Sequence, residues 1–367
     1  MNKFVSITVA MAVAVLCSAR IAAAQPVAEP NNGPSRTATS DSLLVPPKEY
    51  GPVVVRACFE FHDVNEINDE HQTFEFTGVL TLRWHDKRQA FDPAAVGVDE
   101  KVYQGAYQVD EISPGWFPQL VLVNGSGSYE KQGSVLRVQP DGTLTLTEKV
   151  VATAKTEFNF FRFPFDRQRL EAVFELLGFD NSQVVLQVEP ETTDLARSEI
   201  RIPQWSITGI SMSTQDRPAS YAGHRGVASA LVVRVDVQRQ SLYVSRLVTL
   251  PLILIVLLSF AVFWMDRSSL GDRISVSFIG ILTVVAYQLV MSEILPRIAS
   301  ITWMNGFLNI SFLTMVGAVL VNLWVGALDQ RGRSDVADRV DRRCRWIFPL
   351  IYFSLILLAS GVAFLTV

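Results

Sequence analysis

The sequence predicts a membrane protein with an external, immunoglobulin-like β-sandwich followed by a bundle of four transmembrane α-helices. Two observations support this fold class. Residues 46–245 form short runs of alternating polarity that Gly, Pro and Asp interrupt, a pattern typical of an antiparallel sandwich. Residues 246–367 contain four stretches without Asp, Glu, Lys, Arg or His, and each is long enough to cross the hydrocarbon core as a helix.

Three runs in the first part have the clearest strand pattern. They are residues 74–84, residues 144–147 after the Asp141-Gly142 turn, and residues 231–237. Because successive side chains of a strand point to opposite faces, such alternation places one face in a core. We predict no helix longer than two turns in residues 46–245.

The uncharged stretches predict transmembrane helices at about 247–265, 274–292, 302–328 and 346–367. The alternative is a set of buried helices in a large soluble core. That alternative is disfavoured because four such helices so close together would leave almost no polar surface.

Composition excludes several other classes of protein. The 367 residues include 32 Lys and Arg against 36 Asp and Glu, a net charge of −4, which gives no electrostatic reason to expect a nucleic-acid partner. A hydrophobic content of 49% excludes a disordered chain. The sequence lacks the Gly-x-Ser-x-Gly, His-Glu-x-x-His and phosphate-loop motifs. We therefore predict neither an enzyme nor a bound cofactor or metal.

The N-terminus resembles a secretory signal peptide. Lys3 precedes an apolar run over residues 4–16, and an Ala-x-Ala cleavage site stands at residues 22–24. An uncleaved anchor is the alternative. We assign residues 1–24 to the signal peptide and 25–45 to a flexible leader rich in Pro, Asn, Ser and Thr.

The distribution of arginine predicts the orientation in the membrane. The linker between the third and fourth spans carries six: Arg331, Arg333, Arg339, Arg342, Arg343 and Arg345. The positive-inside rule places this linker in the cytoplasm. The sandwich and the C-terminus then lie in the periplasm or outside the cell, and the protein is a multi-pass protein of the cell (inner) membrane.

The second span carries a stripe of the kind that lines a pore. Its members, on successive helical turns, are Ser275, Ile279, Leu282, Ala286, Leu289 and Glu293, and Asp272 precedes them. At about 100° per residue these positions fall within an arc of roughly 80°. Ordinary helix packing would also produce such a stripe. A pore requires several copies of the chain around an axis, which would form acidic, hydroxyl and apolar rings.

Several segments together resemble a known family. The most distinctive is Phe163-Pro164-Phe165-Asp166-Arg167-Gln168, and the others are Trp84-His85-Asp86, Trp116-Phe117-Pro118, Pro251, Leu282–Tyr287 and Ile294–Arg297. In this order, before four spans, they resemble the pentameric ligand-gated ion channels of the Cys-loop receptor superfamily, from about Val53 to the C-terminus. The cysteines of the family's loop are replaced by Thr156 and Leu170, as in the bacterial branch, which lacks that disulfide.

The resemblance implies a homopentameric ligand-gated channel whose pore is lined by the second helix. Gly271-Asp272-Arg273 resembles the Gly-Glu-Lys of cation-selective relatives, so we expect monovalent cations to permeate. The alternative is that Asp272 pairs with Arg273 or with lipid headgroups. A membrane-anchored periplasmic sensor without conduction is the alternative function.

The resemblance also implies where the sandwich acts on the pore. Three groups of residues would face one another across the membrane surface: Phe163, Pro164, Phe165 and Asp166; the two acids Asp69 and Glu70; and Pro296 with Arg297. Arg239, at the end of the last strand, would pair with one of three acids: Asp69, Glu70 or Asp166. A surface ion pair without a role in gating is the alternative.

The agonist site departs from the family pattern. Positions that hold cage aromatics in amine-binding relatives are Val79, Val123 and Leu177 here, and none has a π face to attract a cation. The remaining candidates are Glu175, Phe179 and Tyr221, which are alternatively a surface ion pair, a core aromatic and a solvated loop residue. An acetylcholine-like agonist is disfavoured, while protons, divalent cations or another small molecule remain candidates. Membrane lipid is the other expected partner.

Overall fold

A computed structural model describes residues 44–47, 51–113, 115–189, 202–221, 226–265, 270–294 and 302–365. The predicted signal peptide lies outside the described residues, as do most of the predicted leader, Pro296 and Arg297. Glu293 is placed in a helix, but its side chain is outside what the structure describes.

The first part of the chain is a two-sheet sandwich, as predicted. Its strands are β1 Val53–Asn68, β2 Thr73–His85, β3 Lys101–Gln104, β4 Leu120–Leu122, β5 Gly125–Val138, β6 Thr143–Lys155, β7 Arg167–Leu176, β8 Val184–Val188, β9 Trp205–Pro218 and β10 Val227–Arg239. One sheet has the order β3-β5-β6-β2-β1-β8 and the other β4-β7-β10-β9. Neighbouring strands are antiparallel except β1 and β8.

The alternating strand residues form the core between the sheets. On β2 the buried positions are every second residue, with Phe74 and Phe76 among them. Phe74 stacks on Phe76 with 5.3 Å between centroids, and Phe76 packs edge-to-face against Phe59 and Phe61 of β1 and Phe174 of the opposite sheet, at 5.6, 5.6 and 6.4 Å. Aromatic side chains bury a large apolar area, so this cluster holds the two sheets face to face.

Four long helices follow: α1 Leu242–Trp264, α2 Leu270–Ile294, α3 Trp303–Gln330 and α4 Ser334–Leu365. Each is long and apolar enough to cross a membrane. The protein is therefore a multi-pass membrane protein with a β-sandwich before a four-helix bundle. The helix α3 lies most deeply in the bundle, whereas α4 exposes most of its apolar residues, such as Leu350 and Leu358, as a lipid-facing helix does.

Two helix boundaries differ from the sequence prediction. The first helix begins at Leu242 rather than near residue 247, and the fourth begins at Ser334 rather than near residue 346. The arginine-rich segment is thus mostly helical, and only residues 331–333 separate α3 from α4. The prediction was wrong because an uncharged stretch identifies only the part of a helix inside the hydrocarbon, whereas backbone hydrogen bonding continues beyond it.

Gly78 of β2 offers a test of core packing. A Cβ atom at Gly78 would lie 2.5 Å from the Phe59 ring and 2.6 Å from the Glu60 carbonyl oxygen. We expect Gly78→Ala to lower the stability of the protein by about 1–3 kcal/mol, because overpacking forces the ring and backbone to shift. Thermal unfolding of the purified protein measures this. The matched control is Gly133→Ala in β5, where a Cβ atom meets nothing within 4 Å; an equal loss in both variants would contradict the packing explanation.

Candidate functional site

The predicted pore stripe lies on one face of α2. Six of its seven members have described side chains, and all six are exposed in the protomer: Asp272, Ser275, Ile279, Leu282, Ala286 and Leu289. Leu282 is 69% exposed, although it is central in a helix of the bundle. The exposed face also includes Phe278 and Val290, so it is wider than the stripe.

The opposite face of α2 packs against the other helices. Its buried residues are Arg273, Ser277, Gly280, Val284 and Met291. At Gly280 the helices approach closely, since a Cβ atom there would lie 2.6 Å from the Ser259 hydroxyl of α1. The face that carries the predicted pore residues is therefore the one left without a partner among the residues that the structure describes.

Asp272 and Arg273 point in different directions, although they are neighbours in the chain. Asp272 is exposed and forms no ion pair with any residue that the structure describes. Arg273 is 1% exposed, and its Nη2 lies 2.7 Å from Oδ1 of Asp341 on α4. The alternative in which Asp272 pairs with Arg273 is therefore wrong, because Arg273 pairs across the bundle.

The loop between β6 and β7 carries the Phe-Pro-Phe-Asp motif and enters the top of the bundle. Phe160 and Phe163 are buried in the same apolar cluster as Val248, Leu252 and Phe307 of the helices.

The same loop also contacts the start of α3. The backbone N–H of Trp303 donates to the Phe161 carbonyl over 2.9 Å. Phe165 packs edge-to-face against Trp303 and Phe364, with centroids 5.5 and 5.8 Å away. The motif is thus a structural part of both halves of the protein.

Arg239, the last residue of β10, binds two of its three candidate partners at once. Its Nη1 and Nη2 lie 2.8 and 3.0 Å from the two carboxylate oxygens of Asp69. Its Nε and Nη2 lie 2.8 and 3.2 Å from those of Asp166. Glu70 is exposed and is not among the partners of Arg239 in the described structure. Since Asp69 follows β1 and Asp166 precedes β7, one guanidinium joins three segments at the junction.

The surroundings of Arg239 keep it charged. The side chain is almost fully buried and lies over the rings of Trp205 and Phe163, at 4.0 and 4.9 Å from their centroids. Burial alone would lower the pKa of Arg239. The hydrogen bonds and charges of Asp69 and Asp166 outweigh burial, so its pKa is raised above the ordinary value. The guanidinium therefore stays protonated at every pH at which the fold persists.

Glu175 of β7 is a fully buried carboxylate on the outer face of the four-stranded sheet. Its Oε1 accepts from the Ser220 backbone N–H over 2.7 Å, and its Oε2 accepts from the Ser220 hydroxyl over 3.0 Å. Ser220 follows β9, next to Tyr221, which is half-exposed. No cation among the described residues pairs with Glu175. The interpretation of Glu175 as a surface ion pair is therefore wrong.

The other ligand candidates divide between the two sheets. Leu177 lies just after β7 and is exposed, while Val123 packs with Val173, Ala230 and Val232 on the outer face of the same sheet. Phe179 packs edge-to-face on Trp116 with 5.7 Å between centroids, as the core-aromatic alternative expects.

Val79 lies in the middle of β2 on the six-stranded sheet, paired with Glu60 and Lys149. It alternates with the core residues of β2 and so faces away from the sandwich interior. One protomer therefore does not bring Val79 together with Glu175 and Tyr221.

Sequence reasoning missed several residues of these sites. Ser220, Trp205 and Gln168 were not predicted, although Gln168 donates to Asp166 over 2.7 Å and so holds that carboxylate in place. Asn322 and Asp341, the partners of Arg273, were missed as well. A polar residue inside an apolar helix is a usable signal for such sites, and Asn322 carries it.

Comparison with known proteins agrees with this geometry. Residues 38–241 match the model of the neurotransmitter-gated ion-channel ligand binding domain, and residues 248–335 match that of the neurotransmitter-gated ion-channel transmembrane region. The chain belongs to the neurotransmitter-gated ion-channel family. Members of this family are ion channels rather than enzymes.

Individual relatives have low sequence identity to the chain, but their alignments cover most of it. The chain is 24% identical to the proton-gated ion channel of Gloeobacter violaceus over 84% of this chain and 82% of that protein. It is 25% identical to an acetylcholine receptor subunit beta-type of Caenorhabditis elegans, over 84% of this chain and 59% of the other. It is 24% identical to human gamma-aminobutyric acid receptor subunit rho-2, over 82% and 63%. The alignments thus cover less than two thirds of these two receptor subunits.

The geometry of Arg239 predicts a non-additive response to mutation. Arg239→Ala, Asp69→Asn and Asp166→Asn should each lower the melting temperature, because removing one partner of a buried pair typically costs about 3–5 kcal/mol. Arg239→Ala combined with Asp166→Asn should melt no lower than Arg239→Ala alone. Glu70→Gln is the matched control and should leave the melting temperature unchanged. Simple addition of the two single effects would show that the pair contributes nothing.

Proposed function

We propose that this chain forms a homopentameric, ligand-gated, cation-selective channel in the cell membrane. In this arrangement the sandwich lies outside the membrane and the loop between α3 and α4 lies in the cytoplasm. The observation that carries the proposal is the exposed face of α2, where a carboxylate, a hydroxyl and four apolar or small side chains follow one another along the helix. A soluble core has no use for such a face, and lipid does not favour its acidic end.

Five copies around an axis would turn each exposed residue of α2 into a ring. The edges of the exposed face, such as Phe278 and Val290, would then contact neighbouring subunits, while Leu282 and Ile279 would form an apolar girdle. Such a girdle closes a pore by shedding water. Ser275 adds a hydroxyl near the cytoplasmic end. Its hydroxyl donates to the Gly271 carbonyl over 2.8 Å, which leaves its oxygen lone pairs available to a cation.

The proposed cation selectivity depends on Asp272 and not on family membership. The relatives include acetylcholine and gamma-aminobutyric acid receptor subunits, and membership alone does not decide the permeant ion. Five exposed Asp272 carboxylates at a narrow mouth would concentrate cations and repel chloride. The basic neighbour Arg273 does not cancel this charge at the pore, because it is buried behind α2.

The agonist site is proposed between subunits, since Val79 lies on one sheet and Glu175 on the other, with Leu177 and Tyr221 in the segments that follow β7 and β9. Glu175 is the polar centre of this region, and its hydrogen bonds to Ser220 tie it to the segment between β9 and β10. A ligand that competes for this carboxylate would release Ser220. The absence of aromatic residues at Val79, Val123 and Leu177 argues against a quaternary ammonium.

Movement of the agonist site would reach the pore through the junction. The strand β10 runs from the Tyr221 region to Arg239, and α1 begins three residues after Arg239. A change in the preferred arrangement of Arg239, Asp69 and Asp166 would shift the equilibrium between closed and open pores. Phe163 and Phe165, which pack into the bundle, would carry the same movement to α3 and α4.

Recording from reconstituted bilayers tests the proposal against the alternative of a sensor that does not conduct. We expect currents after a step to acidic pH or after addition of a primary amine. Leu282→Ser should produce a standing leak without agonist, because a hydroxyl girdle retains water. Leu320→Ser, on the exposed surface of α3, is the matched control and should remain closed at rest. If neither the wild-type protein nor Leu282→Ser gives a current, in pentamers confirmed by mass, the result would favour the sensor that does not conduct.

The reversal potential in asymmetric KCl tests the role of Asp272. Asp272→Asn should reduce the single-channel conductance and move the reversal potential away from that of potassium, because the ring of charge is lost. Asp335→Asn removes an exposed acid from the start of α4 and should leave both quantities unchanged. Unchanged conductance and reversal potential in Asp272→Asn would assign selectivity to another part of the channel.

A further inference from the structure

A buried polar network lies at the end of the bundle away from the sandwich. Arg273 of α2 donates from Nη2 to Asp341 of α4 over 2.7 Å and to Oδ1 of Asn322 of α3 over 3.1 Å. Asn322 donates in turn to the hydroxyl of Ser277 over 3.0 Å, and that hydroxyl donates to the Arg273 carbonyl over 2.9 Å. The network therefore closes on itself and joins three helices of one subunit.

The network is buried inside the bundle. Arg273, Asp341, Asn322 and Ser277 are all buried. One turn beyond Asn322 begins a buried apolar cluster of Val325, Leu328 and Ala337. In such a setting a charge that loses its partner is strongly destabilised. Nε and Nη1 of Arg273 find no acceptor among the described residues, and within that part of the chain Asp341 is the acid that pairs with the guanidinium.

The network affects the proposed pore face because Arg273 directly follows Asp272 in the chain. Asp272 and Arg273 are adjacent and carry opposite charges, and their side chains leave the helix about 100° apart. The rotation of α2 about its own axis therefore decides which of the two charges faces the exposed side. While Arg273 is bound to Asp341, Asp272 points outward. When that ion pair is lost, the guanidinium can leave a site where its charge is no longer compensated.

We propose that Asp341 and Asn322 are positioning residues for ion selectivity, which hold Arg273 behind α2 so that Asp272 faces the ion path. They never meet the permeant ion, and they act through the rotation of the first turn of α2. The inference rests on the proposed function, because it presupposes that Asp272 lines a pore. It adds that the sign of the charge at the pore mouth is decided by α4, a helix that carries none of the proposed pore-lining residues.

The test is the reversal potential of Asp341→Asn in asymmetric KCl. This substitution keeps the shape of the side chain and removes the countercharge. We expect the reversal potential to move toward that of chloride by at least as much as in Asp272→Asn, because a cation replaces the acid at the mouth. Asp341→Glu keeps the charge and should retain most of the cation preference. Asp338→Asn removes an exposed acid one turn earlier on α4 and should behave as the wild-type protein does.

Combination of variants distinguishes positioning from a general loss of structure. The double variant Asp341→Asn with Arg273→Gln removes both charges of the pair, so no cation is left to reach the pore. We expect it to recover cation preference relative to Asp341→Asn alone. Because removal of the uncompensated charge would also relieve a loss of stability, the melting temperature is measured beside the reversal potential; only positioning predicts that the assembled Asp341→Asn channel shifts toward chloride. If Asp341→Asn fails to form pentamers, Asn322→Ala leaves the ion pair intact while it loosens the anchor, and a smaller shift in the same direction is expected.

Two results overturn the inference. One is a wild-type reversal potential in assembled Asp341→Asn and Asn322→Ala channels, while Asp272→Asn does change it. The other is a shift in Asp341→Asn that the added Arg273→Gln does not reverse. If Asp272→Asn itself has no effect, the selectivity role proposed for Asp272 fails first, and the role of Asp341 fails with it.

Discussion

A single buried guanidinium, that of Arg239, joins three segments of the sandwich next to the first membrane helix. It binds Asp69 after β1 and Asp166 before β7, and it stands three residues before the first membrane helix. Burial of this charge is tolerated only because two carboxylates and two aromatic faces surround it. The loop that supplies Asp166 also inserts Phe163 into the bundle, so the ionic and apolar contacts reinforce one another.

At the opposite end of the bundle another buried arginine is held by an acid and a polar side chain. Arg273 is buried against Asp341 and Asn322, and these contacts join α2 to α3 and α4 rather than segments of the sandwich. A membrane bundle gains little from apolar contact between helices, because lipid is as apolar as they are. Polar contacts and close approaches, such as that of Gly280 to Ser259, therefore decide which face of α2 packs inside and which stays exposed.

Glu175 contrasts with these two networks because it is a buried charge without a countercharge among the described residues. Its two acceptor oxygens are occupied by the N–H and hydroxyl of Ser220, which compensate a carboxylate only in part. Arg239 and Arg273 are held by full charges and resist change. Glu175 is held by dipoles alone and lacks the full countercharge that holds the two arginines.

The sequence by itself determined the two layers of the fold, the four spans and the stripe on α2, because strand alternation, span length and helical period are local properties of the chain. It also limited the partners of Arg239 to three acids. Only the tertiary structure decided that Asp69 and Asp166 bind together while Glu70 does not, that the arginine-rich segment is helical, and that Arg273 pairs with Asp341. The two ion-pair outcomes join residues far apart in the chain, and the sequence does not show which charges become partners until folding buries both. The helical start of α4 was missed because backbone hydrogen bonding continues beyond the uncharged stretch.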